Sequence, residues 1–480
     1  MEKNLLNNKK YLHLFTSMVL LTIMFVITET GVNLKIYSFI TPYKITLLIT
    51  GIMFLIAFLK NPKNMFLHSL DSVKNQLKEI KILIILIVAY IAFDLISLLY
   101  TNNKSVALTK YVTIISMVAI IFFYVLYLNK SKKDNNDTVN LLLYFLSAPS
   151  IIISLYTWAY MIIFKTTFYA RRLSLIQDYN KFGMLLFFSY ITLIYLIFRI
   201  SKNLNKRNLA LAISSIICTP TIFLTLSRRT TKMMSVVLIL FCLYGVFDTY
   251  IKLKNKESGK IDKKFYLKSL IKLGITILIT FLISNFIVFS YEYLTTERTT
   301  KITQDQTGDG LVVNRGADDI LTDEHSMEKR TVIWKIAKNS YKEYPTLNKI
   351  IGKGASSNLD IYNQPENKAI LDRIYWKNLA PNTVDPHNFL LVDLLNGGII
   401  LLGITMLCML SILVYLFKLI KRSFVDVFFI FTLSIVILGD IMTSSRFGIF
   451  DNKFIWIILI LLITVFNSLR NKDKTSKVIE

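Results

Sequence analysis

The sequence is dominated by about twelve apolar stretches of roughly 20 residues each, and this repetition restricts the possible folds more than any other feature. A helix needs about 20 apolar residues to cross the roughly 30 Å hydrocarbon layer of a bilayer. Hydrophobic residues make up 54% of the chain, which is more than the core of a soluble domain of this size could hide. The pattern therefore predicts an all-α polytopic membrane protein with about twelve transmembrane helices.

The predicted spans are separated by short polar segments, apart from one long hydrophilic stretch before the last three. The first apolar stretch lacks a small-residue cleavage site, which favours an uncleaved span over a signal peptide. The predicted domains are a membrane domain with nine spans (1–290), an extracytoplasmic loop (291–388), a membrane domain with three spans (389–469) and a cytoplasmic tail (470–480). Hydropathy places the spans near 11–30, 40–59, 81–100, 110–128, 141–164, 182–200, 208–226, 232–250, 269–290, 397–419, 424–443 and 453–469.

Lysine and arginine are distributed unevenly between alternate segments. With the N-terminus placed in the cytoplasm, the inner segments hold 29 of these residues and the short outer segments hold 13. Because basic residues near membrane spans are retained on the cytoplasmic side, this count predicts cytoplasmic termini and an outward-facing long loop. The net charge of +25 is then mainly a topology signal and gives no reason to expect a nucleic-acid partner.

Two outer loops carry arginine pairs on the side where basic residues are disfavoured. Arg171 and Arg172 belong to the segment KTTFYARRLSLIQDYNKFG, and Arg228 and Arg229 belong to LSRRTTK. One interpretation is that these side chains bind an anionic group at the outer surface of the membrane. The other is that they extend to lipid phosphates or pair with acidic neighbours. The spacing of the residues leaves both interpretations open.

Three acidic residues within or beside apolar stretches fall towards the predicted outer face, namely Asp94, Asp393 and Asp440. A carboxylate inside a membrane is costly, so their clustering predicts a polar cavity that opens outwards. The alternative is that each carboxylate neutralises one of the arginines, which is compatible with such a cavity. No metal site is expected, because the outer histidines and carboxylates do not have the spacing of metal ligands.

The second half of the long loop changes from a polar sequence to a helical pattern. Ser326 is a suitable N-cap for MEKRTVIWKIAKNSYKEYP, which predicts an amphipathic helix near 327–344. Arg330, Trp334 and Tyr341 have helical spacing and share one face. We expect this face to meet lipid headgroups or sugar rings, because tryptophan and tyrosine favour membrane interfaces. The following segment, GKGASSN, predicts a tight turn rather than a phosphate loop.

His387 and Asn388 stand immediately before an apolar run that is too long for one span. The run extends over 389–419 and contains Gly397 and Gly398, where a helix can break. We therefore expect a short segment at or dipping into the outer surface, then a break, and then the true span. This arrangement presents His387 to the outer side of the membrane.

The order of four segments resembles the O-antigen ligase and O-antigen polymerase superfamily of bacterial polysaccharide assembly. The segments are ARRLSLIQDYNKFG, LSRRT, RTVIWKIAKNSYKEYPTLNKIIGKGAS and PHNFLLVDLLNGGIILLG, and they fall within roughly residues 165–420. In that family an outer-loop arginine precedes an asparagine, a Ser-Arg ends a later span, and an Arg-x-x-x-Trp helix leads through Gly-x-Gly to His-Asn and a glycine pair. The doubled arginines depart from this pattern, and alignment favours Arg172 and Arg228 as the matching members.

The resemblance implies glycan transfer from a polyprenyl diphosphate carrier to a sugar hydroxyl on the outer face of the bacterial cytoplasmic membrane. It implies that Arg172, Arg228 and Arg330 bind the diphosphate, which suits the planar fork of a guanidinium, and that His387 is the catalytic general base. The implied supporting residues are Arg171, Arg229, Asn180, Trp334 and Asn388. No cofactor is implied, because the carrier belongs to the substrate. The implied partners are membrane lipid and the lipid-linked oligosaccharide, with a flippase and a chain-length regulator as candidate protein partners.

Polymerases and ligases of this superfamily differ in the acceptor that receives the glycan. A composition rich in lysine, isoleucine and asparagine is typical of AT-rich genomes, many of which belong to bacteria with a single membrane, and this favours a polymerase of capsule, O-antigen-like or wall polysaccharide. A ligase that transfers finished glycan to a different acceptor is the alternative. A lipid-linked oligosaccharide flippase or exporter is an alternative of another class, but the halves of the chain show no internal repeat and the charged groups lie on one side.

Overall fold

The computed structural model describes residues 9–34, 40–130, 135–164, 178–201, 203–225, 325–375, 380–446 and 448–479, with separate residues between 227 and 282. Within these ranges the regular secondary structure is helical, and ten helices are long and apolar enough to cross a membrane. These ten match ten of the predicted spans, whereas the predicted spans 232–250 and 269–290 lie outside the continuously described residues. The protein is thus a polytopic helical membrane protein, as its hydropathy predicts.

The chain divides into two compact units. Unit 1 comprises residues 1–22, 44–139 and 323–480, and unit 2 comprises residues 23–43 and 140–322. The described helices are α1 (Lys9–Gly31), α2 (Pro42–Lys60), α3 (Pro62–Leu77), α4 (Lys81–Ser97), α5 (Lys104–Lys130), α6 (Asn135–Phe164), α7 (Tyr179–Ile200), α8 (Leu204–Leu224), α9 (His325–Lys342), α10 (Thr346–Ile351), α11 (Asp360–Asn363), α12 (Pro365–Tyr375), α13 (Phe389–Ile420), α14 (Phe424–Ser444) and α15 (Lys453–Ile479).

The core of unit 1 is organised around α15. Every residue from 454 to 469 is buried, so this helix is surrounded by protein on all sides. A helix that is apolar around its whole circumference is expected in such a position. Its one central polar contact joins it to α5, where the Tyr124 hydroxyl and Thr464 Oγ1 are 2.7 Å apart. This contact pairs the two hydroxyl groups in surroundings that are otherwise apolar.

The loops of unit 1 gather at its two ends. At one end Thr101 Oγ1, between α4 and α5, donates a hydrogen bond of 2.6 Å to the carbonyl of Ala355. At the other end Asn467 Nδ2 of α15 donates a hydrogen bond of 3.1 Å to the carbonyl of Gln76 in α3. The segment after α4 and the segment around Ala355 therefore lie at one end, and the ends of α3 and α15 lie at the other. The lysine and arginine count predicts the same two groups. Which end faces the cytoplasm stays a prediction.

Helix α13 is broken at the predicted place. Gly398 has φ +62° and ψ −158°, which no α-helix contains, so the helix consists of a short arm (389–397) and a long arm (399–420). The long arm is roughly 33 Å long at 1.5 Å per residue, close to the thickness of the hydrocarbon layer. The break therefore divides one apolar run into a short, mostly buried segment and a helix of membrane-spanning length.

The glycines of α13 offer a test of this break. A Cβ added to Gly398 would lie 2.3 Å from the carbonyl oxygen of Ile350, whereas a Cβ added to Gly403 would meet nothing within 4 Å. Gly398→Ala is therefore expected to lower the free energy of unfolding by about 2 to 5 kcal/mol, because the left-handed backbone and the clash both cost energy. Gly403→Ala is the matched control and is expected to leave stability unchanged or slightly raised. Thermal unfolding of the two purified variants measures the difference, and equal midpoints would contradict the described break.

The predicted amphipathic helix is present as α9, which begins one residue before the predicted N-cap. The environment predicted for its aromatic face is wrong. Trp334 and Tyr341 are half-buried and pack against an internal cluster of unit 1 rather than standing free for headgroups or sugars. Helices α11 and α12, the loop before His387 and the short arm, which have no clear periodicity signal, supply the opposing surface. The cluster consists of Ile333, Ile336, Ala337, Tyr344, Ile361, Tyr362, Leu371, Val384, Leu391 and Leu395.

Candidate functional site

His387 lies in a loop (380–388) that leads directly into the short arm of α13. Its backbone φ is +50°, a left-handed conformation that is uncommon for residues other than glycine. Asp385 stabilises this turn, because its Oδ1 accepts a hydrogen bond of 2.8 Å from the backbone N–H of His387. A non-glycine residue held in such a conformation is typical of a position where the side chain has a specific task.

The Asp385 carboxylate also contacts the imidazole ring, since His387 Nδ1 lies 2.8 Å from Asp385 Oδ1. A carboxylate at this distance favours a proton on Nδ1, which leaves Nε2 as a hydrogen-bond acceptor. The side chain of His387 is 36% exposed and that of Asp385 is 7% exposed. The pair therefore combines an accessible imidazole with a buried carboxylate that orients it, as a general base requires.

Two long-range hydrogen bonds hold the loop around His387. Trp334 Nε1 on α9 donates to the carbonyl of Pro386 at 2.8 Å, and Arg446 donates from Nη2 to the carbonyl of Asn382 at 2.7 Å. Asn382 forms two hydrogen bonds with Asn363. The backbone N–H of Asn382 donates to Asn363 Oδ1 at 2.9 Å, and Asn382 Oδ1 accepts from Asn363 Nδ2 at 2.6 Å. The loop is thus fixed at its start and immediately before the histidine.

Asn388 begins the short arm. Its Oδ1 accepts hydrogen bonds of 3.0 Å and 3.4 Å from the backbone N–H groups of Leu390 and Leu391, so it is the N-cap of α13. An asparagine in this position stabilises a helix by about 1 kcal/mol. Its side chain therefore positions the helix that follows the histidine.

The GKGASSN segment is a tight turn, as predicted, and its backbone N–H groups are engaged. Those of Lys353 and Gly354 donate hydrogen bonds of 3.1 Å and 2.9 Å to the carbonyls of Leu395 and Asn396. These carbonyls stand at the end of the short arm, where the break interrupts the helical hydrogen bonds. A phosphate loop needs free N–H groups, so the turn instead terminates the short arm.

Arg330 is half-buried on α9, one turn before Trp334 on the same side of the helix. Since Trp334 is bonded to the residue before His387, α9 contacts the histidine loop, and Arg330 lies one turn earlier on the same helix. The structure therefore brings two of the four resembling segments together within unit 1. Trp334 itself acts as a positioning residue, because its indole N–H is taken by a protein carbonyl.

The predicted outward-opening cavity is wrong for Asp94 and Asp393, because both side chains are fully buried within unit 1. Asp94 Oδ2 accepts hydrogen bonds of 2.7 Å from Lys110 Nζ and from the Tyr111 hydroxyl. The alternative of neutralisation by arginine is also wrong here, since the cation beside Asp94 is a lysine from the next helix. Asp440 is likewise buried, with 5% of its surface exposed.

Asp393 joins the short arm to its neighbours. Its Oδ1 accepts a hydrogen bond from the Tyr90 hydroxyl on α4, and its Oδ2 accepts one from Thr405 Oγ1 on the long arm, both at 2.7 Å. Gly448 leaves the necessary space, because a Cβ there would lie 2.5 Å from Asp393 Oδ1. The residue thus fixes the short arm one and a half turns after His387.

In unit 2 the other two resembling segments meet. Asp178 caps α7 by accepting a hydrogen bond of 2.7 Å from the N–H of Asn180. Asn180 Oδ1 in turn accepts a hydrogen bond of 3.0 Å from Ser227 Oγ. Gly183 permits this approach, because a Cβ there would lie 2.6 Å from Thr230 Oγ1. The asparagine predicted to support the site therefore binds the serine that precedes Arg228.

Three of the predicted arginines, Arg171, Arg172 and Arg228, lie outside the described residues. Arg229 is described and is half-buried in helical backbone. Ser227 Oγ accepts a hydrogen bond of 3.3 Å from the N–H of Thr230, a contact typical of a helix N-cap. Arg229 therefore stands in the first turn of a helical segment, where the N-terminal dipole adds to its positive charge.

Sequence reasoning missed Asp385 and Arg446. The spacing Asp-x-His in DPH could have indicated Asp385, because an aspartate often accepts a hydrogen bond from the backbone two residues later. Arg446 offered no such signal, since its partner Asn382 lies far away in the chain. Both residues act on the loop that presents His387.

Comparison with protein-family models finds no match for this chain. Comparison with curated proteins also finds no match. The function is therefore inferred from the chemistry of the residues described above and from the resemblance of their order along the chain.

Proposed function

We propose that this protein transfers glycan from a polyprenyl diphosphate carrier to a sugar hydroxyl on the outer face of the cytoplasmic membrane, and that it polymerises lipid-linked oligosaccharide repeat units. The observation that carries this proposal is the accessible His387 imidazole, whose Nδ1 lies 2.8 Å from the buried Asp385 carboxylate. The pair stands immediately before the short arm of α13, which leads through Gly398 into a helix of membrane-spanning length. A donor that is half lipid and half sugar has its reacting bond at this boundary.

The proposed step is a direct displacement at the anomeric carbon. The acceptor hydroxyl oxygen forms the new bond to this carbon while the bond from the carbon to the diphosphate oxygen breaks. The hydroxyl proton passes to His387 Nε2, and the polyprenyl diphosphate leaves with the electron pair of the broken bond. Asp385 stabilises the imidazolium that forms, and such base catalysis contributes roughly 10²- to 10⁴-fold. Direct displacement inverts the anomeric configuration.

Arginines are assigned to the leaving diphosphate. A guanidinium stays charged in a partly dry site and offers a planar pair of donors to phosphate oxygens. Arg330 on α9 is one proposed member. The resemblance adds Arg172 and Arg228, which lie outside the described residues. The contact between Asn180 and Ser227 supports the pairing of their two segments. Stabilising charge that develops in the transition state is commonly the largest catalytic contribution.

Reconstitution decides between the proposed polymerase and the alternatives. Purified protein in vesicles is supplied with a fluorescent repeat unit linked to polyprenyl diphosphate on the accessible side. A ladder of products that differ by one repeat is expected. Transfer of one glycan to a different acceptor without a ladder would indicate a ligase. Movement of unchanged donor across the bilayer would indicate a flippase, and either result would overturn the polymerase.

Replacing Asp385 with asparagine tests the proposed pair. The amide keeps the shape and the acceptor for the backbone N–H of His387, but it removes the negative charge beside the imidazolium. We expect kcat to fall by about 10-fold or more, with little change in donor affinity. Glu366→Gln, an exposed acid on α12, is the control and should leave kcat unchanged.

The double variant makes this test specific. If Asp385 acts through His387, adding Asp385→Asn to His387→Ala should cause little further loss, because the charge then has no imidazolium to stabilise. Losses that multiply would show that the aspartate acts independently of the histidine and would contradict the pair. Turnover of the lipid-linked donor at matched protein levels is the measurement.

A further inference from the structure

Helix α3 joins α2 to α4, in a segment that the predicted topology places on the inner side of the membrane. It begins after Asn61, whose Oδ1 accepts a hydrogen bond of 3.3 Å from the N–H of Asn64, and Pro62 occupies its first turn. One residue separates α3 from α2, and three residues separate it from α4. α2 is a candidate membrane span, and α3 and α4 together form a stretch of 36 residues, Pro62–Ser97, that contains the next one. Because a helical stretch of this length measures roughly 54 Å and the hydrocarbon layer only roughly 30 Å, α3 is expected at the boundary between the hydrocarbon layer and water.

Helix α3 buries a mainly polar face and exposes an apolar one, the reverse of a helix on the surface of a soluble protein. Its buried positions are Met65, Ser69, Ser72 and Gln76. Ser69 Oγ donates to the carbonyl of Met65 at 2.7 Å and Ser72 Oγ donates to the carbonyl of His68 at 2.6 Å. The hydroxyl groups are therefore satisfied within the helix, which lets a polar face pack against protein.

The outward face of α3 is apolar at its centre. Phe66, Leu67 and Leu70 are 57%, 50% and 51% exposed. Exposing three large apolar side chains next to one another to water is unfavourable, whereas exposing them to acyl chains costs nothing. This face therefore fits lipid.

Lysines stand at both ends of this apolar patch. Lys63, Leu67, Leu70 and Lys74 follow helical spacing along one line, and both lysine side chains are exposed. Long lysine side chains can keep their apolar stems in the acyl region while the ammonium groups reach the phosphate level. The line of positive, apolar and positive groups is complementary to a surface of anionic lipid headgroups.

We propose that α3 is an interfacial helix that binds anionic lipid. Phe66, Leu67 and Leu70 enter the acyl region of the leaflet, and Lys63 and Lys74 contact the phosphates of acidic headgroups. This inference does not depend on the proposed glycan transfer, because it concerns the opposite end of unit 1 from His387.

The depth of α3 is measured with spin labels on the full chain in vesicles of phosphatidylglycerol and phosphatidylcholine. Single cysteines replace Leu67 and Leu70 in a background where Cys218, Cys242 and Cys408 are alanine. Both labels should be accessible to oxygen and shielded from a water-soluble relaxation agent. Phe417→Cys, on the exposed side of the long arm, is the lipid control, and Glu366→Cys is the water control.

Charge variants test the preference for anionic lipid. Each lysine is expected to contribute about fivefold to the affinity for phosphatidylglycerol over phosphatidylcholine, so Lys63→Gln with Lys74→Gln should reduce this preference roughly 25-fold. The matched control pair, Lys335→Gln with Lys338→Gln, is exposed on α9 and should leave the preference unchanged. Stabilisation of the purified protein by titrated lipid is the measurement.

Three results would overturn the proposal. Labels at residues 67 and 70 that respond to the water-soluble agent would place the apolar face in water. Labels protected from both agents would indicate a protein partner or a second copy of the chain on this face. A preference for phosphatidylglycerol that survives loss of both lysines would assign the selectivity to another surface.

Discussion

His387→Ala is expected to lower turnover by roughly 10²- to 10⁴-fold while donor binding stays almost unchanged. The imidazole is the group proposed to take the acceptor proton, whereas the diphosphate is assigned to arginines. The side chain is partly exposed, so its removal leaves no cavity in the core. Product laddering and donor binding, measured in the same membranes at matched protein levels, give the two quantities.

Two further variants separate loss of the base from loss of the turn. His387→Asn keeps a residue that tolerates a left-handed backbone but cannot act as a base at neutral pH, so it should be about as inactive as His387→Ala. His325→Ala removes the other histidine of the predicted outer loop and should retain activity. Added imidazole should restore part of the activity of His387→Ala, because the site is open to solvent. Normal ladders from either His387 variant would leave the histidine as an anchor of the loop and the base unidentified.

Lys110→Met is expected to lower the free energy of unfolding by about 3 to 5 kcal/mol. Lys110 Nζ and Asp94 Oδ2 are 2.7 Å apart, and their side chains are 1% and 0% exposed. Removing the lysine leaves a carboxylate buried without its cation, and water cannot reach it. Thermal unfolding of the purified protein in lipid nanodiscs measures the change.

The double variant Asp94→Asn with Lys110→Met is the control for this prediction. It removes both charges, and the asparagine Oδ1 can still accept the hydrogen bond from Tyr111. Most of the lost stability should therefore return, because an ion pair is costly to break but often neutral to replace as a whole. If the single and double variants were equally unstable, the loss would come from packing around residue 110 rather than from an unpaired charge.

Features that depend on local sequence were predicted well. The membrane helices follow from apolar length, and the break at Gly398 follows from an apolar run too long for one span that contains a glycine pair. Helix α9 follows from its cap and its periodicity. In each case the physical cause lies within about 30 consecutive residues, so the sequence contains the whole signal.

Features that depend on pairing between distant residues were not predicted. The cation beside Asp94 is Lys110 of the following helix, although arginines in outer loops were the expected partners. The contact of Arg446 with Asn382 joins two loops that the linear pattern does not relate. Trp334 was assigned to the membrane surface because periodicity shows that a face is apolar, but not what it packs against. α3 was missed because residues facing lipid do not follow the rule that apolar side chains are buried.

The turn at residues 352–354 has a consequence for the order in which this protein can be built. Lys353 and Gly354 end the short arm through hydrogen bonds to Leu395 and Asn396, which leave the ribosome about 40 residues later. Until α13 has been synthesised and inserted, the N–H groups of the turn lack the carbonyls of Leu395 and Asn396. The loop that contains His387 likewise lacks the helix that follows it. The segment 325–388 can therefore complete its fold only after α13 has been made, so a nascent chain that stops short of α13 has no assembled site.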